Sequence, residues 1–321
     1  MIVSELCVYP VKSCQGIYLD RVKVTKTGFF LDREMMLVSN SGKFITQRQF
    51  PQLARVKVEI IEQDIILSLD DENLTSAIAQ EDLINKGRFI EQNTHRSEFF
   101  KPDNSKVTSS FQGGKQLTLP FASTGTNIEV EIWGDRLQAI DCGDAVADWF
   151  YQLLNLDGNK TCRLVKRSPN HARIVKRKYP RQEDVFISFA DNYPVMLTAT
   201  ASLVELNQRI SEIHLSQKQA IPMNRFRPNI VVETTEPFIE DRWNIIQIGE
   251  IKFKVAKPCS RCIITTIDRR GKKDRLKEPL NTLSTFRQLS EQGVMFGVNL
   301  IPQNEGIIRT SDRLQVFKMR D

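Results

Sequence analysis

The chain has 321 residues, enough for two hydrophobic cores or for one large domain with insertions. It is 40% hydrophobic and 26% charged, as soluble globular proteins are, and no apolar run approaches the ~20 residues that a membrane span needs. The net charge of +6 indicates anionic partners, but no zinc finger, RNP or helix-turn-helix pattern supports a nucleic acid polymer. Six scattered cysteines and a start without signal-peptide features predict a cytoplasmic protein.

Residues 1–134 consist of short apolar stretches separated by turns about every ten residues, which predicts a barrel or sandwich of strands. Residues 70–114 interrupt this rhythm with a long polar sequence. We interpret them as an insertion, either a solvated surface loop or a lid over substrate, in which residues 77–89 have the spacing of an amphipathic helix.

Residues 135–321 mix strand patterns with a few helices. Apolar residues at helical spacing predict helices over residues 145–154, 202–213 and 283–289. Residues 166–181 carry seven cations and are broken by Pro169 and Pro180. They predict an exposed loop, which is either simply solvated or a docking surface.

The sequence around Cys259 and Cys262 is the strongest chemical signal in the chain. Residues 251–255 alternate as a half-buried strand, Pro258 is expected to end it, and the β-branched residues 263–267 predict a second strand. The cysteines would then lie on a tight loop, where nearby cations favour the thiolate. A zinc site, a thioredoxin-like pair, a buried structural pair and a single thiolate ligand for a transition metal all remain open from the spacing alone.

The sequence Cys-Ser-Arg-Cys-Ile-Ile-Thr-Thr-Ile-Asp at residues 259–268 resembles the signature of the MOSC superfamily. It is most similar to the branch that contains the mitochondrial amidoxime-reducing component and the bacterial N-hydroxylated-base reductases. Further stretches resemble the same branch in the same order: residues 9–14, 32–33, 46–49, 141–144, 189–203 and 226–229.

The resemblance implies a β-rich α+β fold. It places an N-terminal MOSC β-barrel-like domain at residues 1–134, with the polar insertion at about 70–114. A MOSC β-barrel domain with a few helices would occupy residues 135–321. The repeated strand pattern agrees with this expectation.

By the same resemblance the protein is expected to bind molybdenum cofactor (molybdopterin with Mo) and to reduce N-hydroxylated compounds as an oxidoreductase. The alternative is a non-catalytic carrier of cofactor or sulfur, similar to the sulfurase C-terminal domain. A pyridoxal phosphate protein is a third, weaker alternative, since MOSC domains occur fused to such enzymes. No iron–sulfur, flavin or nicotinamide motif occurs, so we expect a separate electron donor of the ferredoxin, flavodoxin or haem-carrier type.

The resemblance also implies site residues. The second cysteine, Cys262, takes the position of the molybdenum ligand and catalytic residue, whereas Cys259 receives no role. Eight residues take positions that contact the cofactor: Lys12, Ser13, Arg33, Asp191, Asn192, Tyr193, Arg227 and Asn229. Arginine and lysine among them suit an anionic, phosphate-bearing group.

Overall fold

A computed structural model of the chain describes residues 1–69, 111–112, 116–121, 125–158, 160–169, 173–175, 184–214, 220–290 and 292–320. The predicted insertion at 70–114, apart from residues 111–112, lies outside these residues, as does the predicted helix at 77–89.

Strands dominate the described residues, with three α-helices and four 3₁₀ helices between them. The strands are β1 (Ile2–Val8), β2 (Ile17–Leu19), β3 (Arg21–Thr25), β4 (Gly28–Phe29), β5 (Met35–Ser39), β6 (Val56–Ile61), β7 (Asp64–Leu69), β8 (Phe111–Gln112), β9 (Gln116–Pro120), β10 (Asn127–Ile132), β11 (Asp135–Asp141), β12 (Cys162–Arg167), β13 (Arg173–Ile174), β14 (Phe186–Ile187), β15 (Val195–Ala199), β16 (Ile230–Glu233), β17 (Trp243–Ile248), β18 (Ile251–Ser260), β19 (Gln288–Leu289), β20 (Gly293–Pro302), β21 (Gly306–Arg309) and β22 (Leu314–Met319). The α-helices are α1 (Asp144–Leu153), α2 (Thr200–Ile213) and α3 (Leu280–Phe286). The 3₁₀ helices span Pro51–Arg55, Met223–Phe226, Ile239–Arg242 and Ile263–Thr266.

The largest sheet joins both ends of the chain. Its strand order is β2-β1-β16-β15-β20-β18-β17-β22, and β19 pairs with β20. β15 and β16 run parallel, whereas the other pairs in this sheet are antiparallel. Alternate residues of these strands face one apolar core that includes Trp243 and Phe253, both fully buried.

Smaller sheets complete the fold, in the orders β10-β11-β12-β5, β6-β7-β9-β8, β21-β3-β4 and β13-β14. Helix α1 covers a second core because Val146, Trp149 and Phe150 fall on its buried face. The prediction of a β-rich α+β fold is therefore confirmed. The predicted division after residue 134 falls in the turn of the β10–β11 hairpin and stays a prediction.

Helices α1 and α2 lie where the apolar spacing predicts them, but the third helix begins and ends earlier than expected. The predicted strand at 263–267 is wrong, since Ile263–Thr266 is a 3₁₀ helix. The hydroxyls of Thr265 and Thr266 donate to the carbonyls of Cys262 and Ile263 at 2.9 and 2.8 Å, a local bond that competes with strand pairing.

Pro258 does not end its strand, contrary to prediction. β18 continues to Ser260, and the register with β20 shifts both before and after Pro258. Such bulges interrupt the hydrogen-bonded ladder next to a residue whose backbone nitrogen cannot donate a hydrogen bond. Cys259 therefore lies in the strand, and Cys262 lies just beyond it.

The predicted exposed loop at 166–181 is wrong where the structure describes it. Lys166 and Arg167 belong to β12, and Arg167 pairs with Glu34 at 3.0 Å. Arg173 has a buried side chain that pairs with Asp135 at 3.0 Å. The remaining cations, residues 176–178 and 181, lie outside the described residues.

Candidate functional site

A cavity of about 330 Å³ opens where the end of β18 meets loops from the N-terminal half of the chain. All nine residues that the sequence singled out line this one cavity: Lys12, Ser13, Arg33, Asp191, Asn192, Tyr193, Arg227, Asn229 and Cys262. They come from five loops that are far apart in sequence, and the strand pairing brings them together.

Cys262 is half-buried in the cavity wall, directly before the Ile263–Thr266 helix. The guanidinium of Arg48 donates from Nη2 to its Sγ at 3.3 Å. The sulfur of Cys262 is thus held by a cation at the cavity wall, and cysteine sulfur is a ligand that soft transition metals prefer.

Cys259 has different surroundings, although it lines the same cavity. Its sulfur accepts a bond from Nη1 of Arg261 at 3.0 Å, and its side chain packs against the apolar cluster that contains Phe226 and Phe296. Cys259 is thus partly a core residue.

Three other cysteines are sealed in the interior of the protein. Burial raises the pKa of Cys7 and Cys14 to about 12 and that of Cys162 to about 11, so these side chains remain thiols. Within the residues that the structure describes, no three His, Cys, Asp or Glu side chains cluster in a way that could hold a metal ion.

A continuous set of contacts runs from Cys262 to the far side of the cavity. The Cζ atom of Arg48 lies 5.0 Å from the centre of the Trp133 ring, and Nε1 of Trp133 donates to Oδ1 of Asp191 at 3.0 Å. The same oxygen accepts from Nζ of Lys12 at 2.5 Å. This set fixes the position of Arg48 against the sulfur.

The charges of Lys12 and Asp191 depend on each other. Burial lowers the pKa of Lys12, and the Asp191 carboxylate opposes that effect. Burial acts to raise the pKa of Asp191, but the Lys12 ammonium, the Trp133 indole and Arg48 outweigh it, and the pKa is held well below its usual range. Asp191 is therefore an anion at neutral pH.

Two arginines share one aromatic ring at another wall of the cavity. The guanidinium carbons of Arg33 and Arg227 lie 4.3 and 4.2 Å from the centre of the Tyr9 ring. Arg33 pairs with the buried Asp32 at 2.5 Å, whereas no ion pair to Arg227 is present in the described part of the chain. Burial lowers the pKa of Arg227. Arg227 is half-buried and donates from Nη1 to the carbonyl of Cys14 at 2.7 Å, and a cation without a carboxylate partner at a cavity wall suits an anionic ligand.

Asn229 and Ser13 line the cavity but use their polar atoms within the protein. The Nδ2 of Asn229 donates to the carbonyl of Cys7 and to Asp32, and its Oδ1 accepts from the backbone of Met196. Ser13, at a φ of +72°, accepts from Gln47 through its carbonyl. Both residues shape the wall by tying its loops together.

Among the cavity residues that the sequence prediction missed, three contact predicted or neighbouring site residues: Arg48 contacts Cys262, Trp133 contacts Asp191, and Arg261 contacts Cys259. Arg48 falls in the stretch 46–49, which carried part of the resemblance, so a signal for it was present. Arg261 lies between the two cysteines and was considered only as a flanking cation. Nothing in the sequence spacing places Trp133, at the tip of the β10–β11 hairpin, near Cys262.

The residues present fit an anionic metal cofactor. Five cations line the cavity (Lys12, Arg33, Arg48, Arg227 and Arg261), against the single carboxylate of Asp191. The Nε of Arg261 is buried without a hydrogen-bond partner. The thiol of Cys262 is the donor that a soft transition metal prefers.

Comparison with known proteins finds two known domains in the chain. The MOSC domain matches residues 184–315, and the MOSC N-terminal beta barrel domain matches residues 1–98 and 86–157. The chain is 30% identical to mitochondrial amidoxime reducing component 2 of Bos taurus, over 97% of this chain and 81% of that protein. It is 28% identical to mitochondrial amidoxime-reducing component 1 of Mus musculus, over 97% of this chain and 80% of that protein.

A more distant likeness extends to molybdenum cofactor sulfurase of Oryza sativa subsp. japonica, at 26% identity over 93% of this chain but only 32% of that protein. The fold and the matches together define a strand-rich protein with an N-terminal beta barrel domain and a MOSC domain. The chain belongs to the MOSC-domain family that includes the mitochondrial amidoxime-reducing components, as the sequence resemblance predicted. Among the described helices, none combines the length and apolar character that a membrane crossing requires.

Proposed function

We propose that this protein is an oxidoreductase that binds molybdenum cofactor and reduces N-hydroxylated compounds. The observation that carries the proposal is the placement of Cys262 in the wall of a cation-lined cavity, together with the residues that the family resemblance assigns to the cofactor. Two relatives named as amidoxime-reducing components support the substrate class.

Four cations of the cavity and Cys262 have definite parts in this proposal. Cys262 is the metal ligand and Arg48 holds its sulfur. Arg33, Arg227 and Lys12 would hold the anionic tail of the cofactor, and the fixed guanidinium groups of the two arginines would do so with directed hydrogen bonds. When bound, the cofactor supplies the two-electron oxygen-transfer chemistry, and the protein positions it and shapes the pocket.

The other predicted residues have supporting parts. Asn192 is exposed and Tyr193 half-buried at the cavity wall, where they would border the pterin. Asn229 and Ser13 hold the loops from which the cations project. A separate protein supplies the electrons.

A carrier of cofactor or sulfur is the second candidate, favoured by the likeness to the sulfurase. One experiment separates the two. The protein is produced in a host that makes molybdopterin, its molybdenum is quantified, and benzamidoxime reduction is measured with reduced methyl viologen as donor. We expect molybdenum near one per chain and steady turnover. Bound molybdenum without turnover would identify a cofactor carrier, and a protein that binds no molybdenum would overturn both the oxidoreductase and the cofactor carrier.

A further inference from the structure

Strand β18 carries a row of exposed lysines toward the candidate cysteine site. Ile251, Phe253 and Val255 are buried, while Lys252 and Lys254 between them are exposed. The register shift after Val255 inserts one residue, so that Lys257 takes the next exposed position. Together, Lys252, Lys254 and Lys257 form the lysine row, which spans roughly 17 Å at the usual strand rise.

The lysine row has no acidic counterpart on the neighbouring strands. Lys252 is opposite Gln247, and Lys254 lies between Ile245 and Ile301. Lys257 is opposite Asn299. Opposite charges across strands stabilise a sheet, yet the structure gives each of these lysines a neutral partner.

Protection of a sheet edge does not account for these charges. Lysines often stand on edge strands to prevent pairing with other chains, but β18 is interior, between β17 and β20. One further lysine continues the positive surface: Lys318 on β22 is opposite Ile245 and therefore on the same face as Lys254.

The lysine row ends beside the cavity. Nζ of Lys257 lies 5.7 Å from the centre of the Tyr193 ring, and Tyr193 lines the cavity. Cys259 follows Lys257 by two residues in the same strand. At the other end, Nζ of Lys252 lies 5.4 Å from the exposed ring of Phe317, which adds an apolar group to the charged surface.

We propose that the lysine row is the docking surface for a small acidic one-electron carrier protein. The inference rests on the proposed function, because reduction of an N–OH group to N–H consumes two electrons and two protons and releases water. A one-electron carrier must therefore dock twice in each turnover. A positive surface beside the cavity steers an acidic carrier to that position and speeds its encounter.

The sequence suggested a different docking surface at residues 166–181. The described cations of that segment, Lys166, Arg167 and Arg173, lie in strands, and the two arginines pair with Glu34 and Asp135. The lysine row is exposed, unpaired among the described ion pairs, and adjacent to the cavity.

The test compares two double charge reversals with the same change in net charge. Lys254→Glu with Lys257→Glu alters the lysine row, and Lys26→Glu with Lys160→Glu alters exposed lysines elsewhere. A reduced plant-type [2Fe–2S] ferredoxin serves as the carrier, and its oxidation by the molybdenum-loaded protein is followed by stopped flow at several salt concentrations. Calorimetry measures ferredoxin binding to the protein without cofactor.

We expect the lysine-row variant to lose about tenfold in rate and affinity at low salt, with the difference shrinking as salt rises. The control variant should remain within about twofold of the parent. Turnover with reduced methyl viologen should be the same for all three proteins. If the parent shows no turnover with reduced methyl viologen, the proposed function is contradicted. Calorimetry of ferredoxin binding still tests the lysine row as a docking surface in that case.

Equal losses in both variants would show an effect of net charge alone and overturn the proposal. So would a lysine-row variant that accepts electrons as fast as the parent. A membrane surface is the remaining alternative for a positive patch. If the reversals abolish binding to phosphatidylserine vesicles but leave ferredoxin binding intact, the lysine row is a lipid contact and not a carrier site.

Discussion

Glu240 provides a sensitive test of the packing of α2 on the large sheet. Its carboxyl is fully buried, and its two oxygens lie 2.9 and 3.0 Å from Oγ of Ser202 in α2. Burial raises the pKa of Glu240 from 4.5 to about 7, against smaller opposing effects of hydrogen bonds from its own backbone and from Ser202. The folded protein therefore keeps a proton that the unfolded chain has already released.

The consequence for stability has a definite sign. Well below pH 4.5, Glu240 is protonated in both the folded and the unfolded chain, and its burial carries no cost of a buried charge. Between pH 4.5 and about 7, the unfolded chain has lost the Glu240 proton and the folded protein keeps it. Each pH unit in this window lowers the free energy of unfolding by about 1.4 kcal/mol, so the total loss reaches about 3 kcal/mol. The free energy of unfolding falls with pH over this window and levels off above it.

Glu240→Gln removes this titration, so urea unfolding at pH 4.5, 6, 7 and 8 should show the variant gaining about 3 kcal/mol relative to the parent across the series. Glu212→Gln, at an exposed position of α2, controls for the loss of one carboxylate. A difference between Glu240→Gln and parent that stays constant with pH would refute the reasoning. It would mean that the buried carboxyl titrates alike in both states.

Three further substitutions test the site and its support. Trp133→Phe removes the hydrogen bond that the indole donates to Asp191, which contributes about 1 kcal/mol. The molybdenum content after extended dialysis should therefore fall several-fold, and an undiminished content would contradict this prediction. Gly297 has a φ of +72°, and Gly297→Ala places a Cβ 2.6 Å from the Leu197 carbonyl oxygen. The variant should lose about 2 kcal/mol or more of stability in urea unfolding, and an unchanged midpoint would disprove the clash. Asn229→Ala leaves buried partners unsatisfied and should cost about 3 kcal/mol by the same method, and a loss below 1 kcal/mol would show that its bonds are replaceable.

The spacing of apolar residues along the sequence predicts helices and strands that bury one face. Val146, Trp149 and Phe150 recur at helical spacing, and α1 packs them into a core. Residues 263–267 show the limit of this reasoning. Their β-branched composition favours a strand, but the Thr265 and Thr266 hydroxyls bond to nearby carbonyls and close a helical turn instead.

Long-range pairing was beyond the reach of local patterns. Arg173 belongs to a cationic run that predicts exposure, yet Asp135 and the Ala190 carbonyl bind it in the interior. The cavity itself was reached through the family resemblance, which grouped nine residues that spacing alone does not connect. The approach of Arg48 to Cys262 depends on the packing of two distant loops, and only the structure shows it.

The identity of the metal ligand is the central claim, and X-ray absorption at the molybdenum edge tests it most directly. The measurement counts sulfur ligands in the loaded parent, in Cys262→Ala and in Cys259→Ala. We predict one sulfur fewer in Cys262→Ala, together with loss of benzamidoxime reduction, and a parental spectrum in Cys259→Ala. Loss of the sulfur in Cys259→Ala, or a parental spectrum in Cys262→Ala, would contradict the account.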